Sequence, residues 1–503
     1  MKWDMLLVNA DFIDPGGDSP GYLAIGDGKI LASGPSHESE SVKKQAQKVI
    51  DLSGLAVLPG FMDVHVHLLM TGIDLALPGL FFCRSIPEIQ DILLHSGPRI
   101  GDWIIGLGFD ETLFHNPILP TMDDLDKVSK KYPICIVRRD HHICILNSKA
   151  LEILGIPPET EEEKRGIMRG DSIDNIYAII YSSLSVEEKI QALQRACRAA
   201  LSFGITCVHA LEGGRNFGDE DIVLALENAD SLPIDVIIYP QTLKVNWVKY
   251  ELELPRIGGC ILVDGTIGSR TAALYEDYAD DPGNSGILYF EDHELEKFVE
   301  EAHVEGLQVA LHAIGDKAVG QVTGIYERII KKHYREDCRH RIEHGILSRP
   351  QDIEKMSSLG IHLSVQPVFH HLWGGENGLY ETRLGKERYK KIHPYRTYID
   401  HGITIAGSSD SDVCPMDVML AINSAVNRDN DEEVITPLDA LNLYTVNAAK
   451  FSFQEKERGR LLPGMKADLV ILSENPLITE HINEIEVIAT VVGGELKFGR
   501  LEW

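Results

Sequence analysis

Asp292 to His312 reads DHELEKFVEEAHVEGLQVALH, and this stretch decides the fold. Leu295, Phe298, Val299 and Ala302 fall three and four apart, the spacing of one apolar helical face. Gly306 stops that helix, Leu307 to Leu311 supply a short apolar strand, and His312 follows as its polar end. The same unit occurs upstream. Ser185 and Glu188 form a capping box, Ile190, Leu193, Cys197, Ala200 and Leu201 keep helical spacing, Gly204 ends the helix, and Ile205 to Val208 run into His209. Further strand ends fall near Ile342 to His344, Ile361 to Gln366, and Ile403 to Ala406, the last leading to Asp410. Repeated helix and strand predict parallel βαβ units. Polar residues just beyond the strand runs are what a (β/α)8 TIM-type barrel requires, since its chemistry sits at the carboxyl ends. A doubly wound open sheet fits the pattern alone as well.

The two chain ends read differently. Met5 to Val8, Tyr22 to Ile25 and Lys29 to Ala32 are short strands, the last two joined by the tight turn Asp27-Gly28. Near the other end come Leu469 to Leu472, then Ile488 to Val492 and Leu496 to Phe498 across Gly493-Gly494. Both ends are therefore expected to build one small β-sandwich domain, residues 1–58 with 455–503, around a barrel of residues 59–454. Residues from about 72 to 180, rich in charge, proline and short strands, break the rhythm and read as an insertion in the barrel.

A chain of 503 residues exceeds what one core usually supports. Its formal net charge of -29 argues against a protein that neutralises phosphates or an anionic membrane, so no nucleic-acid or membrane partner is expected. A small-molecule substrate is the expected partner, and a homo-oligomer is compatible with the sequence. The eight cysteines form no CxxC pair, no secretory leader is evident at Met1 to Asp4, and a reduced, cytoplasmic setting follows as the expectation.

Pro59 to Leu68, PGFMDVHVHL, carries the most chemistry. His65 and His67 lie two apart on a predicted strand, project to one side and can grip one metal ion. Twenty histidines produce such spacings by chance, and a pair of solvated or packed histidines is the alternative. His312, His344 and Asp410 at other strand ends complete a nitrogen and oxygen donor set of the kind that leaves a position open for water.

These strings resemble the amidohydrolase superfamily, and within it the YtcJ-like metal-dependent hydrolases related to N-substituted formamide deformylase. The resemblance spans nearly the whole chain through PGFMDVHVHL, VRRDHHICILNS (137–148), DGTIGSRTAAL (264–274), LQVALHAIGDKAV (307–319), RHRIEH (339–344), Ser408 to Asp410 and Arg458 to Leu472. It implies that His65 and His67 bind a first divalent metal, that His312 and His344 bind a second or shared one, and that Asp410 holds the hydrolytic water. Zinc is the expected metal, as one or two ions. Before DGTIGSR the family usually carries a lysine, carboxylated to bridge two metals; here Cys260 stands in that place, and no lysine lies between Lys249 and Asp264. A thiolate can itself bind or bridge zinc, and the alternative is a small buried hydrophobe. Smaller departures are His141 for a glycine, Ala210 for an aspartate, and a proline delayed to Pro415.

In the expected reaction Asp410 is both ligand and general acid/base for a metal-activated water attacking an amide. His142 is a candidate oxyanion stabiliser. Arg270 could clamp a substrate carboxylate or sit in a structural ion pair, Asp110 could open a substrate loop, and Trp373, with Phe369, could wall an apolar pocket. Asp316 is expected to support His312, and Glu343 either to support His344 or to pair with Arg341. Cleavage of a carbon–nitrogen bond in an N-substituted amide is the leading function. Hydrolytic deamination of a ring or amidine uses the same activated water, and a non-catalytic metal-binding regulatory protein is the alternative of another class.

Overall fold

The protein is described by a computed structural model covering residues 3–139, 143–155, 157, 159–169, 172–214 and 217–501. It divides into two units, residues 1–67 with 197–212 and 229–503, and residues 68–196 with 213–228.

The first unit holds two runs of strands, parallel between Ile205–Gly213 and Phe61–Val66 in the first and throughout the second. One has the order Asp235–Gln241, Ile205–Gly213, Phe61–Val66; the other runs Arg256–Leu262, Gln308–Ala313, Arg341–His344, His362–Val365, Ile405–Gly407. The strand Phe61–Val66 is buried along its whole length, as expected of strands covered on both faces. Helices lie between them in sequence where the periodicity placed them. Asp292–Val304 starts at a capping box made by Glu291 and Glu294 and buries Leu295, Phe298, Val299 and Ala302. Asp316–Lys332 buries Val319, Val322, Ile325, Tyr326 and Ile329 and ends in Lys331 and Lys332, which suit the negative end of its dipole. Phe61–Val66 and the segment after Ile405–Gly407 are joined at their carboxyl ends. Asp410 N–H donates to His65 O at 3.0 Å, His67 N–H to Ser411 O at 2.6 Å, and Val66 pairs with Ser411 in parallel.

Both chain ends contribute to two further sheets. Lys29–Gly34, Tyr22–Gly26, Trp3–Val8 and Ala46–Asp51 form one; Asp11–Phe12, Ala56–Pro59, Leu469–Leu472, Val487–Val492 and Glu495–Gly499 form the other. Leu7, Leu23 and Ile50 of the first share one apolar cluster with Val57, Leu469, Ile471 and Val491 of the second. The turn residues Asp27 and Gly28 both have positive φ, 50° and 74°, as the tight hairpin turn demands.

The second unit has its own sheet, in the order Ile167–Arg169, Ile143–Leu146, Ile134–Arg138, Ile104–Phe109. Leu80, Ile89, Leu93, Phe109, Ile136 and Ile145 pack together as its core. Among the described residues no helix is long and apolar enough to cross a membrane.

Candidate metal centre

His65 ends a buried strand and His67 lies just beyond it, and both rings meet Asp410. His65 Nε2 is 3.0 Å and His67 Nε2 is 3.3 Å from Asp410 Oδ1. Asp410 adopts a left-handed backbone, φ 55°, which a non-glycine residue holds only under constraint. The constraint is visible: Asp410 N–H is tied to His65 O, and Ser409 N–H is shared between both oxygens of Asp63 at 3.1 Å. Asp63 also accepts His65 N–H, and burial pushes its carboxyl up to about 6 against these donors.

Cys260 reaches the same place through a bulge. Gly258 and Gly259 have φ of 99° and 104°, and the register with Gln308–Ala313 slips between Gly258 and Leu262. A Cβ on Gly258 would meet Ala310 O at 2.1 Å, so only glycine fits the bulge. Cys260 Sγ then lies 3.6 Å from His312 Nδ1. One donor atom from each of His65, Cys260 and His344 falls within 4.8 Å of the others, and the same holds for His65, His67 and Asp410. His65 belongs to both triplets. The structure thus brings together all six residues expected as ligands.

Hydrogen bonds on the far side of three rings turn their lone pairs inward. His65 Nδ1–H donates to Glu343 Oε2 at 2.7 Å, and His344 Nδ1–H to Gln366 Oε1 at 2.8 Å, leaving Nε2 of each for the cluster. His312 is reversed: its Nε2–H donates to Gly265 O at 3.3 Å, leaving Nδ1 to face Cys260. Asp264 lies 3.5 Å from that Nε2 while accepting the backbone N–H groups of Ala273, Ile314 and Gly315.

Nε2 of His65, Nε2 of His344 and Oδ1 of Asp410 are buried and make no hydrogen bond among the described residues. Buried polar atoms without partners are costly, so three that converge imply a cation between them. Burial would raise the Asp410 carboxyl, yet His65, His67 and His344 hold it well below the carboxylate range. Burial likewise raises the Cys260 thiol, and His312, His344 and His65 overturn that and hold it well below its ordinary value. Imidazole nitrogens, a thiolate and a carboxylate fit a divalent transition metal. A third triplet, His303, Cys338 and His340, is of another kind. Its rings are closed by their own hydrogen bonds: Val309 N–H donates to His340 Nδ1, His340 Nε2 faces His303 Nδ1 at 2.8 Å, and His303 Nε2–H donates to His333 O. Neither ring there keeps a nitrogen lone pair for a metal.

The remaining expected residues divide. Trp373 packs on Phe369 at 4.7 Å between ring centres, and Phe369 stacks on His344 at 6.1 Å, so a run of rings leads from His344 to Trp373. Arg270 donates Nε and Nη2 to the two oxygens of Asp280, at 3.0 and 2.8 Å, the ion pair that was the alternative to a substrate clamp. Asp110 caps the short turn Glu111–Leu113 by accepting Thr112 N–H, and lies 3.9 Å from Arg138. His142 lies outside the described residues. Asp316 accepts Tyr275 N–H, and it is Asp264 that lies beside His312. Asp63, Asp264 and Gln366 were not singled out from the sequence. Asp264 and Gln366 sit just beyond strand ends, the one signal that pointed to them, whereas Asp63 lies within the strand Phe61–Val66, two residues before His65.

The model of the amidohydrolase family matches residues 48–498. This chain belongs to the amidohydrolase family. It is therefore a hydrolase of carbon–nitrogen bonds. Protein LONG AFTER FAR-RED 3 of Arabidopsis thaliana is 30% identical over 98% of this chain and 91% of its own length. The amidohydrolase YtcJ of Bacillus subtilis is 29% identical over 96% of each chain. N-substituted formamide deformylase of Arthrobacter pascens is 23% identical over 99% of this chain and 98% of its own. Among solved structures, a metal-dependent hydrolase from Pyrococcus furiosus superposes with a TM-score of 0.81 at 28% identity, covering 94% of this amidohydrolase and 99% of that chain.

Proposed function

We propose that this amidohydrolase cleaves the carbon–nitrogen bond of an N-substituted, non-peptide amide, with one or two zinc ions held by His65, His67, Cys260, His312, His344 and Asp410. The observation that carries the reading is the pair of donor triplets that share His65, one with Cys260 and His344 and one with His67 and Asp410, with His312 beside Cys260. We read the eight strands of the two runs as one closed (β/α)8 barrel and the two terminal sheets as a β-sandwich domain, residues 1–58 with 455–503, beside residues 59–454. The backbone bonds between His65, Asp410 and Ser411 and the shared apolar cluster support this.

Zinc bound there supplies Lewis acidity, which lowers the pKa of a water and polarises a carbonyl. Asp410, ionised at neutral pH, takes the proton of the attacking water and returns it to the departing nitrogen. Glu343, Gln366 and Gly265 O keep three histidines in the tautomers that face the donor cluster. Phe369 and Trp373 offer an apolar face next to His344 for the substituent on nitrogen, and the deformylase relative supports the amide class.

The test is a substrate panel on zinc-loaded protein: N-substituted formamides, other acyclic amides, and ring amidines. Release of a carboxylate and an amine is expected. Ammonia released only from amidines would replace the reading with a deaminase, and no turnover on any member would replace it with a non-catalytic metal-binding protein.

A further inference from the structure

Arg341 is the bulkiest of the fully buried side chains, and everything around it leads to His65. Two residues apart on one strand, Arg341 and Glu343 share a face, whereas His344 ends that strand with φ 75°. Arg341 Nε and Nη2 donate to the two oxygens of Glu343, both at 2.8 Å. Nη2 donates also to Val64 O at 2.8 Å, and Nη1 to His209 Nδ1 at 3.1 Å. The guanidinium is packed 4.4 Å from the ring centre of Tyr239 and 4.9 Å from that of Phe451. Burial and the neighbouring Arg341 hold His209 well below its ordinary value, so it stays neutral and can accept.

Glu343 has no solvent exposure and three donors, Arg341 twice and His65 Nδ1 once. A buried ion pair is a poor source of stability, since desolvation offsets most of its attraction. What this pair does instead is grip the His65 segment at two points, the ring through Glu343 and the preceding carbonyl, Val64 O, through Arg341. We infer that Glu343, clamped by Arg341, is the positioning residue of His65: it fixes the Nδ1–H tautomer, aims Nε2 at the donor cluster, and through its charge raises the metal affinity of the centre. The inference rests on the metal reading above. A carboxylate in place of a neutral acceptor makes His65 a more basic ligand, and Arg341 keeps that carboxylate from rotating to serve another donor.

The experiment uses the full chain and Zn²⁺ itself. Zinc dissociation constants are measured by competition with a chromophoric chelator for the wild type, Glu343→Gln and Glu343→Ala, and the thermal midpoint of each is measured after chelator stripping. Gln keeps an oxygen for His65 Nδ1–H but drops the charge; Ala removes both. Zinc affinity is expected to fall about tenfold in Glu343→Gln and up to about 100-fold in Glu343→Ala, with the metal-free midpoint of Glu343→Gln near that of the wild type. Should Glu343→Ala fail to fold, Glu343→Asp, which withdraws the carboxylate by one methylene, takes its place with the same expected direction. Affinities within twofold of the wild type overturn the inference, as does a loss of metal-free stability in Glu343→Gln with unchanged affinity, the mark of a merely structural pair. A wild type that binds no zinc overturns the metal reading itself, so the two failures are told apart.

Discussion

Cys260 Sγ lies 3.6 Å from His312 Nδ1, at the position where the resemblance drawn from the sequence led to the expectation of a lysine. The thiol therefore lies among the donors of the cluster, beside His312 and within reach of His65 and His344. A carbamate and a thiolate each carry one negative charge, so the two side chains would bring the same charge to this position.

Replacing Cys260 by Ser keeps the size and removes the soft anionic donor. Zinc content per chain, read by elemental analysis after dialysis against metal-free buffer, is expected to fall. Unchanged stoichiometry would show that Cys260 only fills space.

Asp410→Asn keeps the shape of the side chain but removes its proton chemistry. A drop in kcat of about 10²- to 10⁴-fold is expected on any substrate the panel identifies, with an unchanged far-ultraviolet circular dichroism spectrum. Turnover near the wild-type rate would remove Asp410 from the role of acid and base.

The glycine bulge makes a separate claim about how Cys260 is placed. At Gly258 a methyl group would collide with Ala310 O at 2.1 Å on top of the unfavourable φ of 99°. Gly464, with φ 91° and nothing within 4 Å, isolates the backbone part. Gly464→Ala is expected to cost about 1 kcal/mol and Gly258→Ala at least about 2 kcal/mol, with zinc content reduced only in the latter. Equal losses in both, with zinc retained, would sink this account of the bulge.

Asp235 gives a pH-dependent prediction. Burial acts to raise its carboxyl, but Arg458 and Lys466, both in direct contact with it, bring it below the ordinary value. A carboxylate depressed in the folded state stabilises above its unfolded pKa of about 4, and that contribution is lost as pH falls through the folded value. Asp235→Asn, which leaves the nearly buried Arg458 short of a charged partner, is expected to cost about 2 kcal/mol at neutral pH. The gap in thermal midpoint between wild type and variant should narrow as pH drops below about 4; a gap that stays constant or widens contradicts the assignment.

Much of the centre was legible because it obeys local rules. Two histidines two apart on a strand must share a side and a barrel-like repeat puts polar residues at strand ends, and these two rules made His65, His67, His312, His344 and Asp410 candidates, while the family resemblance gave them their roles as ligands. Cys260 was found by the lysine it replaces. The turn Asp27-Gly28 and the helical face of Leu295, Phe298, Val299 and Ala302 followed from backbone sterics and periodicity in the same way.

What the sequence by itself determined, then, was the order of strands and helices, the expected donors and the kind of metal they suit, since each depends on residue type and near neighbours. Only the tertiary structure decided which partner each of those side chains takes. Glu343 orients His65, 278 positions away, and not its neighbour His344; Gln366 serves His344; Asp280 claims Arg270; and the bulge at Gly258 and Gly259 sets where the Cys260 thiol ends. The physical reason is that a hydrogen bond requires about 3 Å and a direction, and both are fixed by how distant strands pack, which periodicity along one strand does not record.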